Sequence, residues 1–267
     1  MPDVFGWLRT QRQRRLWLLP RQLPVSTHDV EYQPGFLARV YRPVGVSARV
    51  AALDVHGGNW TSGDRLQQEQ LDRALATNGV LVAAIDYHLA PPDSYPSSVE
   101  DVLIAARWLR QHATRLGATP VAPIGALGSS AGGHLAILCG VRSSELDFVV
   151  ADAPITNTAD YAGVHPYWPT RAMALDGSPL DVLKRGQARA LPPLLITHGT
   201  CDEAVPFAMS QQFVERYNAA GGSAQLRAFK GLGHAFVLTH PRKRESREMA
   251  AAILQFVLNS RGPLMST

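Results

Sequence analysis

Ser130 is a candidate reactive residue, because it lies among small residues in Gly128-Ser129-Ser130-Ala131-Gly132. An apolar segment at 121–127 precedes this run, and an apolar helical segment at 131–141 follows it. A strand that turns sharply into a helix here would expose the serine hydroxyl and direct backbone N–H groups of the helix N-terminus toward it. A glycine-rich turn without chemistry also fits the five residues, but the strand–turn–helix context favours a nucleophilic serine.

Asp202 could orient the base that such a serine needs. It follows a predicted strand at 194–198, within His198-Gly199-Thr200-Cys201-Asp202-Glu203. In α/β sheets, the carboxyl ends of parallel strands are where ligands and reactive groups are placed. Other acids compete for this role, namely the neighbouring Glu203 and the weaker candidates Asp152 and Asp176.

His234 could act as the base. It lies in the glycine-containing run Gly231-Leu232-Gly233-His234-Ala235-Phe236, after the last predicted strand. Histidine is the side chain whose unperturbed pKa lies near neutral pH, although a lone loop histidine is more often an ordinary surface residue. The order Ser130, Asp202, His234 along the chain favours catalysis, because one large class of Ser–His–acid hydrolases has this order.

A second glycine pair lies in His56-Gly57-Gly58-Asn59-Trp60, directly after a predicted buried strand. Adjacent glycines let the backbone approach a substrate closely. The backbone N–H groups of Gly58 and Asn59, with that of Ala131, could then bind an oxygen that becomes negative during acyl transfer. A sharp loop without chemistry is the alternative, and we interpret His56 as a structural hydrogen-bonding residue.

Apolar β-rich segments alternate with helical patterns along the chain, which predicts an α/β fold with a mostly parallel eight-stranded sheet and helices on both faces. The predicted strands are 28–33, 36–42, 49–55, 80–86, 121–127, 148–151, 194–198 and 224–229. The predicted helices are 64–77, 98–116, 131–141, 207–220 and 245–259. We expect one α/β domain over 28–260, with an irregular insertion at 154–191 lying over the site and a tail at 261–267.

The composition of residues 1–27 predicts a basic, amphipathic arm, because the segment contains several arginines and no acidic residue lies between Asp3 and Asp29. A helix face packed onto the domain is favoured over binding of nucleic acid or anionic lipid. The chain is 46% hydrophobic and 18% charged with a net charge of +4, which is typical of a globular protein. No apolar run approaches the roughly 20 residues of a membrane span.

The two cysteines, Cys139 and Cys201, do not make a disulfide framework, and no Cys/His cluster has zinc-ligand spacing. We therefore expect no metal and no cofactor. The expected partner is a small-molecule ester, with no nucleic acid and no membrane association, and the expected location is cytoplasmic. The sequence leaves a homodimer open.

Together these motifs resemble the α/β-hydrolase esterases related to hormone-sensitive lipase, and more closely the carbohydrate-ester and feruloyl-esterase-like branch; kynurenine formamidase is similar too. The resemblance covers roughly residues 50–256 and includes Asp86-Tyr87-His88-Leu89-Ala90-Pro91. It implies an α/β-hydrolase fold with little or no cap and oxyanion donors at Gly58 and Asn59. Two positions depart from the hormone-sensitive-lipase pattern. Asn59 replaces a third glycine, which favours the feruloyl-esterase and formamidase side, and His88 replaces an arginine in a structural segment.

The resulting hypothesis is a serine hydrolase that cleaves carboxylic esters of small acyl groups through an acyl-enzyme intermediate. An aryl formamidase or amidase with the same Ser–His–Asp set is one alternative, and a non-catalytic binding protein on the same fold is another. Three aromatic residues are candidates for substrate binding, with a place in the core as the equal alternative: Trp60, Tyr161 and Trp168.

Overall fold

A single eight-stranded sheet organises the structure, a computed structural model that describes residues 22–240 and 243–260. Its strands are β1 (Val25–Gln33), β2 (Phe36–Pro43), β3 (Val50–Val55), β4 (Val80–Ile85), β5 (Ile124–Ser129), β6 (Phe148–Asp152), β7 (Leu194–Gly199) and β8 (Ala224–Phe229). They lie in the order β1-β2-β4-β3-β5-β6-β7-β8. Only β1–β2 and β2–β4 are antiparallel pairs within this sheet, which confirms the predicted, mostly parallel architecture.

Helices cover both faces of the sheet. They are α1 (Glu69–Ala76), α2 (Ser97–Leu116), α3 (Ala131–Arg142), α4 (Arg171–Asp176), α5 (Pro179–Lys184), α6 (Phe207–Ala219), α7 (Phe236–Thr239) and α8 (Arg244–Asn259). Apolar residues of α1, α7 and α8 form the core on one face, and those of α2, α3 and α6 form the core on the other. Every residue of β3 to β7 is buried, as expected for parallel strands covered on both sides.

Turn residues set several strand limits. The predicted hairpin turn at Pro34-Gly35 is confirmed, and Gly35 adopts a left-handed φ of 82° between β1 and β2. By contrast, β5 begins at Ile124, later than the predicted residue 121. Pro123 explains the difference, because proline has no N–H to donate to the sheet.

Helix α1 is shorter than the predicted helix 64–77 and begins at Glu69. The backbone N–H of Arg65 donates to Asp86 Oδ1 at 2.9 Å, and the N–H of Leu66 donates to Asp64 Oδ1 at 2.8 Å. Side-chain acceptors therefore hold these residues in turns, and the regular helix starts only after them.

The insertion at 154–191 contains more regular structure than we predicted. A 3₁₀ helix spans Ala159–Tyr161, and α4 and α5 follow it. The side chain of Thr170 caps α4 and that of Ser178 caps α5, which also begins with a proline. These are ordinary helix-start signals, so the prediction of a wholly irregular insertion was wrong.

The N-terminal boundary also differs from the prediction, because β1 begins at Val25 and not at residue 28. The basic stretch 1–21 and the tail 261–267 lie outside the described residues. Among the helices of the described part, none is both long and apolar enough to cross a membrane.

Candidate active site

Ser130 lies at the turn between β5 and α3 with φ 55° and ψ −118°. This conformation is rare for a residue with a side chain. The neighbouring glycines permit it. A Cβ on Gly128 would lie 2.4 Å from the backbone of Gly132, and a Cβ on Gly132 would lie 1.9 Å from the carbonyl oxygen of Val55. The predicted sharp strand–turn–helix is confirmed, and it leaves the Ser130 side chain partly exposed at the carboxyl edge of the sheet.

Asp202 and His234 meet at the same edge. The Asp202 side chain has no exposed surface, and its Oδ2 atom accepts a hydrogen bond from His234 Nδ1 at 2.7 Å. The tight turn after β7 holds the other carboxylate oxygen, because Oδ1 accepts the backbone N–H groups of Ala204 and Val205 at 2.9 and 2.8 Å. With Nδ1–H directed at the carboxylate, Nε2 of His234 is left as a proton acceptor.

The loop that carries His234 is held against the end of β7. Cys201 N–H donates to the carbonyl of Leu232 at 2.9 Å. The approach is close enough that a Cβ on Gly199 would lie 2.3 Å from the same carbonyl oxygen. The glycines around Asp202 and His234 thus serve the approach of two loops that are far apart in the sequence.

Parallel strands β5, β6, β7 and β8 bring Ser130 and His234 to one edge of the sheet. Asp152, at the end of β6, lies between β5 and β7 and accepts hydrogen bonds from Ser129 Oγ at 3.3 Å and Thr197 Oγ1 at 2.9 Å. Within the described residues, Ser130 and His234 form no direct hydrogen bond with each other. Bonds of this kind often shorten only when a substrate is bound.

The competing acids occupy other positions. Glu203 is exposed beside Asp202. Asp152 is buried and bound by the two hydroxyls of its neighbouring strands. Asp176, in the insertion, forms an ion pair at 2.9 Å with Arg142 of α3. Of the four acids considered from the sequence, Asp202 is the one that binds His234 in the described structure.

The run from His56 to Trp60 forms a tight loop beside Ser130. A Cβ on Gly57 would lie 2.9 Å from the carbonyl oxygen of Ser129 and 3.5 Å from Ser130 Cβ. Gly58 and Asn59 have φ values of 116° and 55°. No acceptor in the described structure takes the backbone N–H groups of Gly58, Asn59 or Ala131. The role of these three donors as an oxyanion site stays a prediction.

Comparisons with known proteins find esterases and carboxylic ester hydrolases among the similar chains. The family model described as BD-FAE matches residues 40–164. The carboxylic ester hydrolase LipN of Mycobacterium tuberculosis is 34% identical over 151 residues, which cover 55% of this chain and 40% of LipN. Esterase LipC of the same organism is 29% identical over 268 residues, covering 89% of this chain and 64% of LipC. Among solved structures, a native esterase 2 of Thermogutta terrifontis has a TM-score of 0.74 and 25% identity, covering 92% of this chain and 95% of that chain.

This chain has the α/β-hydrolase fold of the esterase structures to which it is similar. The eight-stranded sheet is the fold that the sequence predicted. The matched segments span 40% of the length of LipN and 64% of the length of LipC.

Hydrogen bonds decide the charge of the buried acid in this α/β-hydrolase. Burial alone would raise the pKa of Asp202, but the Val205 N–H and the His234 imidazole outweigh that effect, so the pKa is lowered. Asp202 is therefore an ionised acceptor at neutral pH. Burial raises the pKa of Asp152 to about 6, in spite of the hydroxyl of Thr197 and the nearby charge of His234.

The aromatic candidates are core residues in two of three cases. Trp60 and Trp168 have no exposed surface, so the prediction that they line an open substrate pocket is wrong and the core alternative holds for both. The Trp60 ring stacks on Tyr167 at 5.6 Å and meets Trp168 edge to face at 5.3 Å. Tyr161 is partly exposed and packs against the Trp60 ring at 5.5 Å, so its role in substrate binding stays a prediction.

His134 is a buried connection that sequence reasoning missed. Its Nδ1 accepts the indole N–H of Trp60 at 3.1 Å, and its Nε2–H donates to the carbonyl of Gly177 at 2.8 Å. Burial lowers the pKa of His134 to about 4, so the ring is neutral and can make both bonds. One side chain thus joins the loop at 56–60, α3 and the insertion. A lone histidine inside an otherwise apolar helix was the signal available in the sequence.

The two departures from the family pattern make their own contacts. Asn59 approaches His165 of the insertion, with 2.9 Å between Asn59 Nδ2 and His165 Nε2. His88 binds Asp101 through its ring, with 2.7 Å between Nδ1 and Oδ2. His56 stacks on Tyr87 at 4.1 Å and is buried, in agreement with the structural role expected for it. Among the described residues, no group of three or more His, Cys, Asp or Glu side chains could hold a metal ion.

Proposed function

We propose that this α/β-hydrolase cleaves carboxylic esters of small acyl groups, with Ser130 as nucleophile, His234 as general base and Asp202 as the acid that orients the histidine. The observation that carries the proposal is the 2.7 Å hydrogen bond between Asp202 and His234, at the same sheet edge as the strained Ser130. It leaves Nε2 of His234 available to take a proton from an incoming hydroxyl group.

The first half of the reaction transfers the acyl group to the enzyme. His234 Nε2 takes the Ser130 hydroxyl proton as Oγ attacks the ester carbonyl carbon. The N–H groups of Gly58, Asn59 and Ala131 stabilise the oxygen that becomes negative, and each such donor typically contributes about 3 kcal/mol to lowering the barrier. The tetrahedral intermediate then collapses, the bond to the alcohol breaks, and His234 gives its proton to the leaving alkoxide.

The second half releases the acyl group. Water enters in place of the alcohol, and His234 takes a proton from it as the water oxygen attacks the acyl carbon. The acid leaves when the bond to Ser130 Oγ breaks and His234 returns the proton to the serine. Asp202 remains ionised throughout and stabilises the positive imidazolium that forms in both halves.

The relatives support esters as the substrate class. LipN is a carboxylic ester hydrolase, LipC is an esterase, and esterase 2 of Thermogutta terrifontis has been solved with butyrate bound and with propionate bound. The same esterase has also been solved phosphonylated by sarin. Short acyl groups and phosphonylating reagents are therefore the natural probes for this chain.

Hydrolysis of short nitrophenyl esters tests the proposal. We expect Ser130→Ala to lower kcat by about 10³-fold or more, because the oxyanion site and binding alone retain only a small part of the rate. Ser129→Ala is the matched control. It removes the adjacent hydroxyl, which points to Asp152, and should leave the rate within about tenfold. An unchanged rate in Ser130→Ala would end the assignment.

A substrate panel separates the alternatives. Esters of increasing acyl length should be compared with an aryl formamide under identical conditions, because the Ser–His–Asp set by itself does not distinguish the two substrates. A higher kcat/KM for the formamide would favour the formamidase alternative. The sequence Asn59-Trp60 resembles that side of the family pattern. No reaction with a fluorophosphonate probe at Ser130 would favour the non-catalytic alternative.

A further inference from the structure

Asp202 binds a second histidine that the proposed reaction does not use. Nε2 of His198 lies 3.1 Å from Asp202 Oδ2 and 3.0 Å from the carbonyl oxygen of Val205. Its other ring nitrogen, Nδ1, lies 2.8 Å from Ser210 Oγ on α6. The side chains of His198 and Asp202 both have no exposed surface, so this contact is sealed from solvent.

The partners of His198 define which nitrogen carries the proton. The Asp202 and Val205 oxygens are both acceptors, so Nε2 must carry the hydrogen that they share. Nδ1 then accepts the hydroxyl proton of Ser210. Burial lowers the pKa of His198, which favours this neutral form with a single N–H.

We propose that His198 is a positioning residue that holds Asp202 and limits the negative charge which Oδ2 presents to His234. This inference rests on the proposed function. Both histidines bind the same carboxylate oxygen, Oδ2. The N–H of His198 and the N–H of His234 therefore both donate to the negative charge on that atom. Ala204 and Val205 bind the other oxygen, and the carboxylate is therefore held from both sides.

The surroundings of His198 suit a fixed donor. The ring of Phe207, the first residue of α6, meets the imidazole edge to face at 5.5 Å. Ser210 is fully buried one helical turn further along α6. Asp152 is another titratable group near this pair, and, besides the effect of burial, its own pKa is lowered by the charge of His234 and raised by that of Asp202. Packing on β7 and α6 thus leaves the imidazole with one orientation.

Two substitutions of His198 test the proposal, because they retain different ring positions. Glutamine places an amide N–H near the position of Nε2, whereas the shorter asparagine reaches only the position of Nδ1. We expect His198→Asn to lower kcat for a short nitrophenyl ester by about tenfold, with little change in KM, because Asp202 loses a donor that keeps it in position and this loss outweighs the stronger charge on Oδ2. His198→Gln should restore most of the loss.

The pH profile provides a readout that a purely structural role would not move. Without the His198 N–H, Oδ2 carries more negative charge toward His234 and stabilises the imidazolium more strongly. The acid limb of kcat/KM should therefore move to higher pH in His198→Asn and return in His198→Gln. Ser210→Ala should show a smaller shift in the same direction, because it loosens the ring without removing its N–H.

Three outcomes decide the matter. If His198→Asn lowers only the melting temperature, while kcat per fluorophosphonate-titrated site and the acid limb stay unchanged, the proposal is overturned. If adding His198→Asn to Asp202→Asn lowers kcat by as much as it does in the unsubstituted protein, His198 does not act through Asp202 and the proposal fails again. If the unsubstituted protein hydrolyses no ester, the proposed function fails. The downfield proton signal of the Asp202–His234 hydrogen bond then tests His198 directly, since it should shift in His198→Asn.

Discussion

Asp202 takes part in two arrangements of the same three residue types, and they differ in almost every other respect. The outer arrangement contains His234 and faces Ser130, and a quarter of the His234 side chain is exposed. The inner arrangement contains His198 and Ser210, both of which are fully buried. The outer histidine binds the acid through Nδ1, whereas the inner one binds it through Nε2.

The difference teaches that residue types alone do not make a nucleophile. Ser130 has a strained backbone with φ of 55° and lies beside free N–H donors, whereas Ser210 lies inside the regular helix α6 and donates to a ring that no substrate can reach. Access, neighbouring backbone N–H groups without an acceptor in the described structure, and an unoccupied Nε2 distinguish the outer set. The inner set has hydrogen bonds of similar length and can only orient its acid.

The substitution with the largest predicted effect disrupts both arrangements at once. Asp202→Asn removes the charge that both histidines bind, and we expect kcat for a short nitrophenyl ester to fall by about 10⁴-fold, as when a triad acid is neutralised and the histidine adopts the wrong tautomer. Glu203→Gln is the matched control, because Glu203 is the exposed neighbouring acid, and its rate should stay within a few-fold. A rate above one tenth of normal in Asp202→Asn would contradict the assigned role.

A second prediction concerns the strained turn at Ser130, a feature that Ser210 does not share. Gly132→Ala would place a Cβ 1.9 Å from the carbonyl oxygen of Val55, in a part of the backbone that cannot move freely. We expect a loss of about 3 kcal/mol or more in the free energy of unfolding, measured by denaturant titration. Gly163→Ala is a control with open space around its Cβ, although its φ of 73° also carries some strain. Equal stability of the two variants would contradict the close contact.

The prediction with the smallest effect concerns buried acids whose carboxylate oxygens lack hydrogen-bond donors, in contrast to Asp202. Neither oxygen of Asp72 and one oxygen of Asp54 has a hydrogen-bond partner in the described structure. Burial raises the pKa of Asp54; it also raises the pKa of Asp72, which the charge of Asp54 raises further. Asp202 is the opposite case, since its backbone and imidazole donors keep it ionised.

The sign of the expected pH dependence follows from these shifts. A carboxyl whose pKa is raised by folding destabilises the fold as pH rises from its unfolded pKa of about 4 toward its folded value. Asp72→Asn removes one such group, so we expect it to be more stable than the unsubstituted protein by about 1 kcal/mol at about pH 8. The difference should shrink toward about pH 4 in thermal unfolding measurements. The exposed Asp160→Asn is the control and should show no such trend.

Sequence patterns predicted the fold and the candidate residues for particular reasons. Strands buried on both faces appear as apolar runs, so β3 and β4 were found with nearly the observed limits. Glycine-rich turns at Ser130 and Asn59 follow from backbone conformations that few residues allow. The start of α1 was missed because Asp86, which holds the turn before it, lies 21 residues away from Arg65.

Side-chain surroundings were the part that local patterns did not predict. Trp60 directly follows Gly58 and Asn59 and yet points into the core, where His134 accepts its indole N–H. A position beside a functional loop in the sequence does not define the direction of a side chain, since packing against distant segments decides it. The choice between Asp202 and Glu203 was likewise decided by which carboxylate the turn buries.

The sequence by itself determined which residue types could do chemistry, their order along the chain and the strands that end beside them, because these depend on local backbone preference and on the period of apolar residues. Only the tertiary structure decided that one of two histidines at Asp202 is accessible and the other sealed. His198 lies near the end of β7 and His234 follows β8, and each is next to a glycine. The packing of α6 over His198 and the open edge at His234 distinguish them. Burial depends on segments distant in the sequence, so it emerges only when the chain is folded.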